Sequence, residues 1–301
     1  MLSLLSAITI AGSGMSGIVA NSPYQKQEQL ENINYKRQKR SNNENNKINI
    51  TKIVITTNGI VRSDGIILNN KVYFGSADNK VYEYDPATGQ QKIVLRTNGN
   101  VWSSGVVLNH KVYFGSWDYK VYEYDPVTGQ QKIVIKTNGF IWSSGVIFNN
   151  KLYIGSDDGN IYEYDPATGQ QKIVLRTTNS NNPIKSSGLV LNNKLYFGSD
   201  DNKVYEYDPA TGQQKIVIKT NNSQSIRSSG VIFNNKIYFG SGDKNVYEYD
   251  PSTEQQRVIP TTGSWNESSG VVLNNKLYFG SADGNIYEYS EVLFRFKFRA
   301  N

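Results

Sequence analysis

The chain has 301 residues, no cysteine and a single histidine, His110, which excludes disulfides, thiolate catalysis, lipid attachment at a lipobox cysteine, Cys- or His-cluster metal sites and a Ser-His-Asp triad. Its formal net charge is +6, from 32 basic and 26 acidic residues; half of that excess falls in residues 21–50, where six Lys/Arg face three Glu. The remainder is too mildly basic for nucleic acid to be an expected partner.

Residues Leu2 to Ala20 carry no charge and read as a secretory h-region, with small residues around Val19-Ala20-Asn21 where a signal peptidase would cut. Nothing basic precedes the run, and its 19 residues also suffice to span a bilayer. Residues 1–20 therefore stand as a signal peptide or an anchor, and membrane association is expected only through residues 2–20. The expected location is secreted or cell surface. The leader and the Asn-Ser-Pro-Tyr-Gln after it resemble those of surface proteins in wall-less bacteria. Residues 21–50 are dense in Asn, Gln, Glu and Lys and show no apolar period, the composition of a disordered polar linker.

From residue 51 to 299 the chain is repetitive. Tyr-Glu-Tyr recurs with its glutamates at Glu83, Glu123, Glu163, Glu206, Glu248 and Glu288, at intervals of 40, 40, 43, 42 and 40 residues. A period near 40 made of short β-rich runs is the mark of a propeller blade. The 21 tyrosines suit strands pressed face to face. The expected fold is all-β, a six-bladed β-propeller of four-stranded antiparallel blades.

In the unit spanning residues 100–137, Gly105-Val-Val-Leu108 reads as the inner strand. Asn109-His110 reads as a type I′ turn, in which both residues take φ > 0. Lys111–Gly115 and Val121–Tyr124 read as the second and third strands. Asp125-Pro126-Val127-Thr128-Gly129 reads as a turn with Gly placed for the left-handed region, and Gln131–Ile135 as the outer strand. Lys52-Ile-Val-Ile-Thr56 matches the outer strand Lys92–Arg96 but precedes the first full unit, so it is expected to close the ring as the outer strand of blade six. Phe294-Arg-Phe-Lys-Phe-Arg299 also alternates and competes for that place. The Glu83 series is expected to pair across strands with lysines such as Lys71 and Lys111. The Asp78, Asp118, Asp243 and Asp283 positions read as turn residues, and His110 as a surface turn residue.

Ser-Ser-Gly, Val-Tyr-Phe-Gly-Ser, Asp-Gly-Asn-Ile-Tyr and Asp-Pro-Ala-Thr-Gly together resemble the repeat of PQQ-like (quinoprotein-type) β-propellers, over roughly residues 51–290. The family usually carries a Trp in the outer strand, where this chain has Ile-Val. Its dehydrogenases use eight blades, calcium ligands and often a vicinal cysteine pair. The resemblance therefore implies the non-enzymatic branch, such as the scaffold lipoprotein of outer-membrane barrel assembly, with no cofactor and no metal.

One series varies while its frame does not. The residue before each Ser-Ser-Gly (Ser-Asp-Gly in the first blade) reads Arg62, Trp102, Trp142, Lys185, Arg227 and Glu267. These positions connect one blade to the next, where propellers open their channel mouth. Trp117, Tyr119 and Trp265 fall on turns or connections expected at the same face. A constant frame with variable rim residues presents a recognition surface. Ligand binding is expected at Arg62, Trp102, Trp117, Trp142, Lys185, Arg227, Trp265 and Glu267, by stacking on Trp and charge-assisted hydrogen bonds from Arg and Lys. The expected function is a non-enzymatic, monomeric binding or adhesion module for a protein or glycan ligand. The alternatives are an envelope-assembly scaffold and, last, a PQQ-dependent dehydrogenase.

Overall fold

The computed structural model describes residues 53–178, 182–260, 263–266 and 268–290. Among them every helix or strand element is a β-strand, and the strands form six sheets that follow one another along the chain. Five sheets have four strands and the sixth has three, each in simple meander order. This is the six-bladed all-β pattern that the period predicts. The described residues divide into two compact units, 53–154 with 162–172 and 155–161 with 173–290. The leader, residues 21–50, Lys52 and the segment 294–299 lie outside the described residues.

Sheet two shows why the repeat folds as it does. Its strands are Val106–Leu108, Lys111–Ser116, Lys120–Tyr124 and Gln131–Lys136. Asn109 and His110 between the first two have φ of 50° and 59°, and the Asn-Asn pair of every other blade is left-handed at both positions. Asn tolerates that region best after glycine, and the turn's twist matches the strands it joins. After the third strand, the Gly129 N–H (φ 71°) donates to the Asp125 carbonyl at 2.8 Å. The Val127 N–H donates to the Asp125 carboxylate at 2.8 Å. The Val127 N–H first, and the Thr128 N–H with it, hold the Asp125 carboxyl below its usual range.

Three buried side-chain devices recur. The first serine of Ser-Ser-Gly clamps the second strand's glycine: Ser103 Oγ donates to the Gly115 carbonyl at 2.8 Å and accepts from its N–H at 2.9 Å. The same pair of bonds joins Ser63 to Gly75, Ser186 to Gly198, Ser228 to Gly240 and Ser268 to Gly280. The leading Tyr of Tyr-Glu-Tyr donates to the turn aspartate four residues earlier: Tyr82 to Asp78 and Tyr122 to Asp118, both at 2.5 Å, and Tyr205 to Asp201. Finally the central Glu, 3 % exposed at Glu83 and Glu123, receives Lys71 at 2.9 Å or Lys111 at 2.8 Å. This is the expected cross-strand pairing, with an addition: the residue directly opposite Glu83 on the outer strand is Lys92, 3.3 Å away.

Apolar faces pack between sheets within each unit. In the first, Tyr73, Val81, Leu95, Val112, Phe114 and Tyr122 form one cluster. In the second, Tyr196, Val204, Ile218, Ile237, Phe239 and Tyr247 form another. A Cβ on Gly105 would stand 2.7 Å from Ile66 Cδ1, and one on Gly230 only 2.3 Å from Leu189 Cδ2. Successive first strands thus approach too closely for any side chain there.

The expected closing strand is a point of difference. Residues 53–56 belong to no sheet, and Ile53 is 78 % exposed. A strand holds only where its backbone groups join a ladder, and those of residues 53–56 join none.

Candidate functional site

The connections between blades are fastened to turns, and that fastening brings the variable residues together. In the first unit, Trp117 N–H donates to the Asn100 carbonyl at 2.9 Å, Asn98 N–H to Asp118 Oδ2 at 3.0 Å, and Ser116 Oγ to the Gly99 carbonyl at 3.1 Å. Gly99 is required here, because a Cβ would meet Asp118 N at 2.6 Å. The following connection is tied to the same turn, with Thr137 N–H donating to the Tyr119 carbonyl at 2.8 Å. Trp102 and Trp142 therefore flank Trp117.

The three indoles form one cluster of tilted and edge-on rings, with interplanar angles of 58° to 64°. Ring centroids lie 4.1 Å apart for Trp102 and Trp117, 4.3 Å for Trp117 and Trp142, and 5.4 Å for Trp102 and Trp142. Phe140 extends the cluster, 5.1 Å from Trp117 and 5.2 Å from Tyr119. Arg62 places its guanidinium carbon 4.3 Å from the Trp102 ring, a cation–π contact of about 0.5–1 kcal/mol where exposed. The indoles are half-buried, while Tyr119 and Phe140 are exposed at 43 % and 37 %. The indole N–H groups of Trp102 and Trp117 are enclosed without an acceptor.

Beside this patch, the Ser104 hydroxyl donates to Asp64 Oδ2 at 3.1 Å and accepts from the Asp64 N–H at 2.8 Å. Burial raises the Asp64 carboxyl above its ordinary value despite the bond from Ser104. Asp64 occupies the second Ser position of the first blade.

In the second unit, Lys185 and Arg227 meet on Asp200. Arg227 Nε and Nη2 reach its two carboxylate oxygens at 2.8 and 3.0 Å, and Lys185 Nζ lies 3.8 Å away. The two cations expected to make charge-assisted hydrogen bonds to a ligand thus already share a carboxylate. Trp265 is 58 % exposed, and its carbonyl accepts from Ala282 N–H at 3.0 Å. Glu267 lies outside the described residues.

The charged triad uses the same three positions as the Trp cluster: the residue before Ser-Ser-Gly, the residue after the second strand's closing Ser, and the residue before the next Ser-Ser-Gly. Asp200 and Phe140 escape a reading of the sequence that follows only the first series. Aligning the residues after the second-strand Ser (Ala77, Trp117, Asp157, Asp200, Gly242 and Ala282) is the signal that would have found Asp200. Among the described residues no group of three His, Cys, Asp or Glu side chains comes together to hold a metal ion.

A family model described as outer membrane protein assembly factor BamB, of PQQ-like repeats, matches residues 96–292. The chain belongs to that family. No match was found among curated proteins. Among solved structures, the computationally designed Ika8 protein superposes with a TM-score of 0.60 at 20 % identity, over 77 % of this chain and 71 % of that one. The extracellular domain of a putative one-component system of B. thetaiotaomicron superposes with a TM-score of 0.60 at 17 % identity, over 79 % of this chain. This protein spans only 34 % of that longer chain. At such identities these likenesses speak for the propeller fold alone.

Proposed function

We propose that this member of the BamB-type family is a non-enzymatic propeller that acts outside the cytoplasm. It recognises a protein or glycan partner through the aromatic patch of Trp102, Trp117, Trp142, Phe140 and Tyr119, with Arg62 at its edge. The observation that carries this reading is the indole cluster on variable connections of an otherwise uniform frame. Clustered aromatic side chains with an adjoining guanidinium suit a sugar face or a peptide segment. The non-enzymatic reading is supported by what occupies the repeat's acids: Glu83 and Glu123 are held by lysines, and Asp78 and Asp118 by tyrosines. The uncharged Leu2–Ala20 run supports export. A second reading, a scaffold for assembly of envelope proteins, draws on the description of the family itself.

Glycan-array binding and capture from envelope extracts, compared between the native protein and Trp102→Ala/Trp142→Ala, test the proposal. Binding is expected to fall at least about tenfold, equivalent to about 1.4 kcal/mol. The exposed variants Tyr119→Ser and Arg62→Glu keep the test meaningful where the double variant loses its fold. Full binding by all of these variants would exclude the patch. Host glycans or proteins as partners favour adhesion; the cell's own membrane proteins favour the scaffold.

A further inference from the structure

Sheet six has three strands among the described residues, and no described strand pairs with the outer side of its third, Ile286–Tyr289. Glu288 differs from the other glutamates of the series. Its side chain is 44 % exposed, whereas Glu83 is at 3 %, and among the described residues it receives Lys276 at 2.6 Å and Tyr278 Oη at 2.8 Å. In the other five sheets the fourth strand brings the glutamate a second cation: Lys92, Lys132, Lys172, Lys215 or Arg257, always nine residues further along the chain. Nine residues after Glu288 stands Lys297.

The neighbouring sheet five supplies the register. There Glu248 pairs with Arg257, Tyr249 with Gln256 and Tyr247 with Val258. The same register sets Lys297 opposite Glu288, Phe296 opposite Tyr289 and Phe298 opposite Tyr287. Residues directly opposed in an antiparallel pair share a face, and alternation sends the phenylalanines to one side and the cations to the other. Tyr289 lines a cavity of about 280 Å³ together with Phe233, Tyr238, Val258, Ile259 and Leu277. Its lining is mostly apolar, with Arg257 and Ser290 as polar members, and it lies on the side to which Phe296 and Phe298 would point.

We propose that residues 294–299 dock on that outer side of sheet six as its fourth strand, with Lys297 paired to Glu288 and Phe296 and Phe298 filling the adjoining cavity. In sheet five the fourth strand begins at Gln255, five residues after the third ends at Asp250. Tyr289 matches Tyr249 in that register, so the counterpart of Gln255 is Arg295, six residues after Tyr289. So short a connection closes at far lower entropic cost than the recruitment of a distant segment such as Lys52–Thr56.

Amide hydrogen exchange on the full chain tests the docking. An edge strand protects only the amides that face its single neighbour, so the outward half exchanges freely. With residues 294–299 docked, all amides of Ile286–Tyr289 are slowed at least about 100-fold relative to unstructured chain. Phe296→Asp/Phe298→Asp releases the outward half while the Lys276–Gly280 amides stay protected. Lys297→Glu weakens the protection, and adding Glu288→Lys restores it. Free exchange of the outward amides in the native chain overturns the proposal. So does protection that is lost on Ile53→Asp but kept in the phenylalanine variant, which assigns the edge to the N-terminal segment. Protection that rises with protein concentration assigns it to a second copy and overturns the proposal equally.

Discussion

Replacing Ser103 by Ala removes one hydroxyl and strands two backbone groups. Ser103 is 1 % exposed, and its Oγ is at once donor to the Gly115 carbonyl and acceptor from the Gly115 N–H, at 2.8 and 2.9 Å. Water has no easy way in, because Ile141 Cγ2 lies only 2.3 Å from the point where a Gly115 Cβ would stand. A buried backbone group left without a partner costs about 1–3 kcal/mol, so the variant should lose about 2–5 kcal/mol. For a protein of this size that lowers the melting temperature by about 5–15 °C. Thermal and urea unfolding followed by tryptophan fluorescence measures the loss, since Trp102 is the adjacent residue. Ser104→Ala is the control: its hydroxyl joins only the half-buried Asp64, and about 1 kcal/mol is expected. If Ser103→Ala unfolds within about 0.5 kcal/mol of native, or no earlier than the control, the serine clamp is not what ties the connection to the second strand.

Three further outcomes are expected. Burial pushes the Glu163 carboxyl up, but the bonds from Lys151, Tyr153 and Lys172 outweigh it, and the group titrates below its ordinary 4.5. Its contribution to stability is therefore complete above about pH 4.5 and is lost as the pH falls below that value; Glu163→Gln should flatten this acid limb in unfolding curves recorded against pH. Asp200→Asn removes the carboxylate shared by Arg227 and Lys185, and a double-mutant cycle with Arg227→Ala should give about 1 kcal/mol of coupling for this partly exposed pair; zero coupling would refute the contact. Gln171 accepts from the Lys136 N–H at 2.7 Å and donates to its carbonyl at 3.0 Å, so Gln171→Ala should speed exchange of the Lys136 amide about fivefold, for a loss of about 1 kcal/mol.

The Gln171 contact shows where sequence reading stops. Gln-Gln recurs at the start of each outer strand and reads simply as polar strand residues. In the structure the second Gln holds the backbone of the preceding outer strand: Gln131 at Arg96, Gln171 at Lys136, Gln214 at Arg176 and Gln256 at Lys219. The partners are 35 to 38 residues apart, and no local signal announces them. The same holds for Asp200 beneath Arg227 and for Phe140 beside Trp117. The Glu83 pairing was half legible: Lys71 was foreseen from strand alternation, whereas Lys92 needed the register of the fourth strand.

What the chain encodes by itself is local: the 40-residue period, the Asn-Asn turns, the Asp-Pro-x-Thr-Gly turns and the alternation within strands. Each follows from backbone sterics and pleat geometry acting over a few residues, which one stretch of sequence contains in full. Which variable residues meet was decided only when each connection was fastened to its neighbouring turn. That fastening made an indole cluster of Trp102, Trp117 and Trp142 and an ion cluster of Lys185, Asp200 and Arg227 from equivalent positions. Contacts between blades depend on sheet spacing and rotation, and those arise from packing rather than from any residue's own conformational preference.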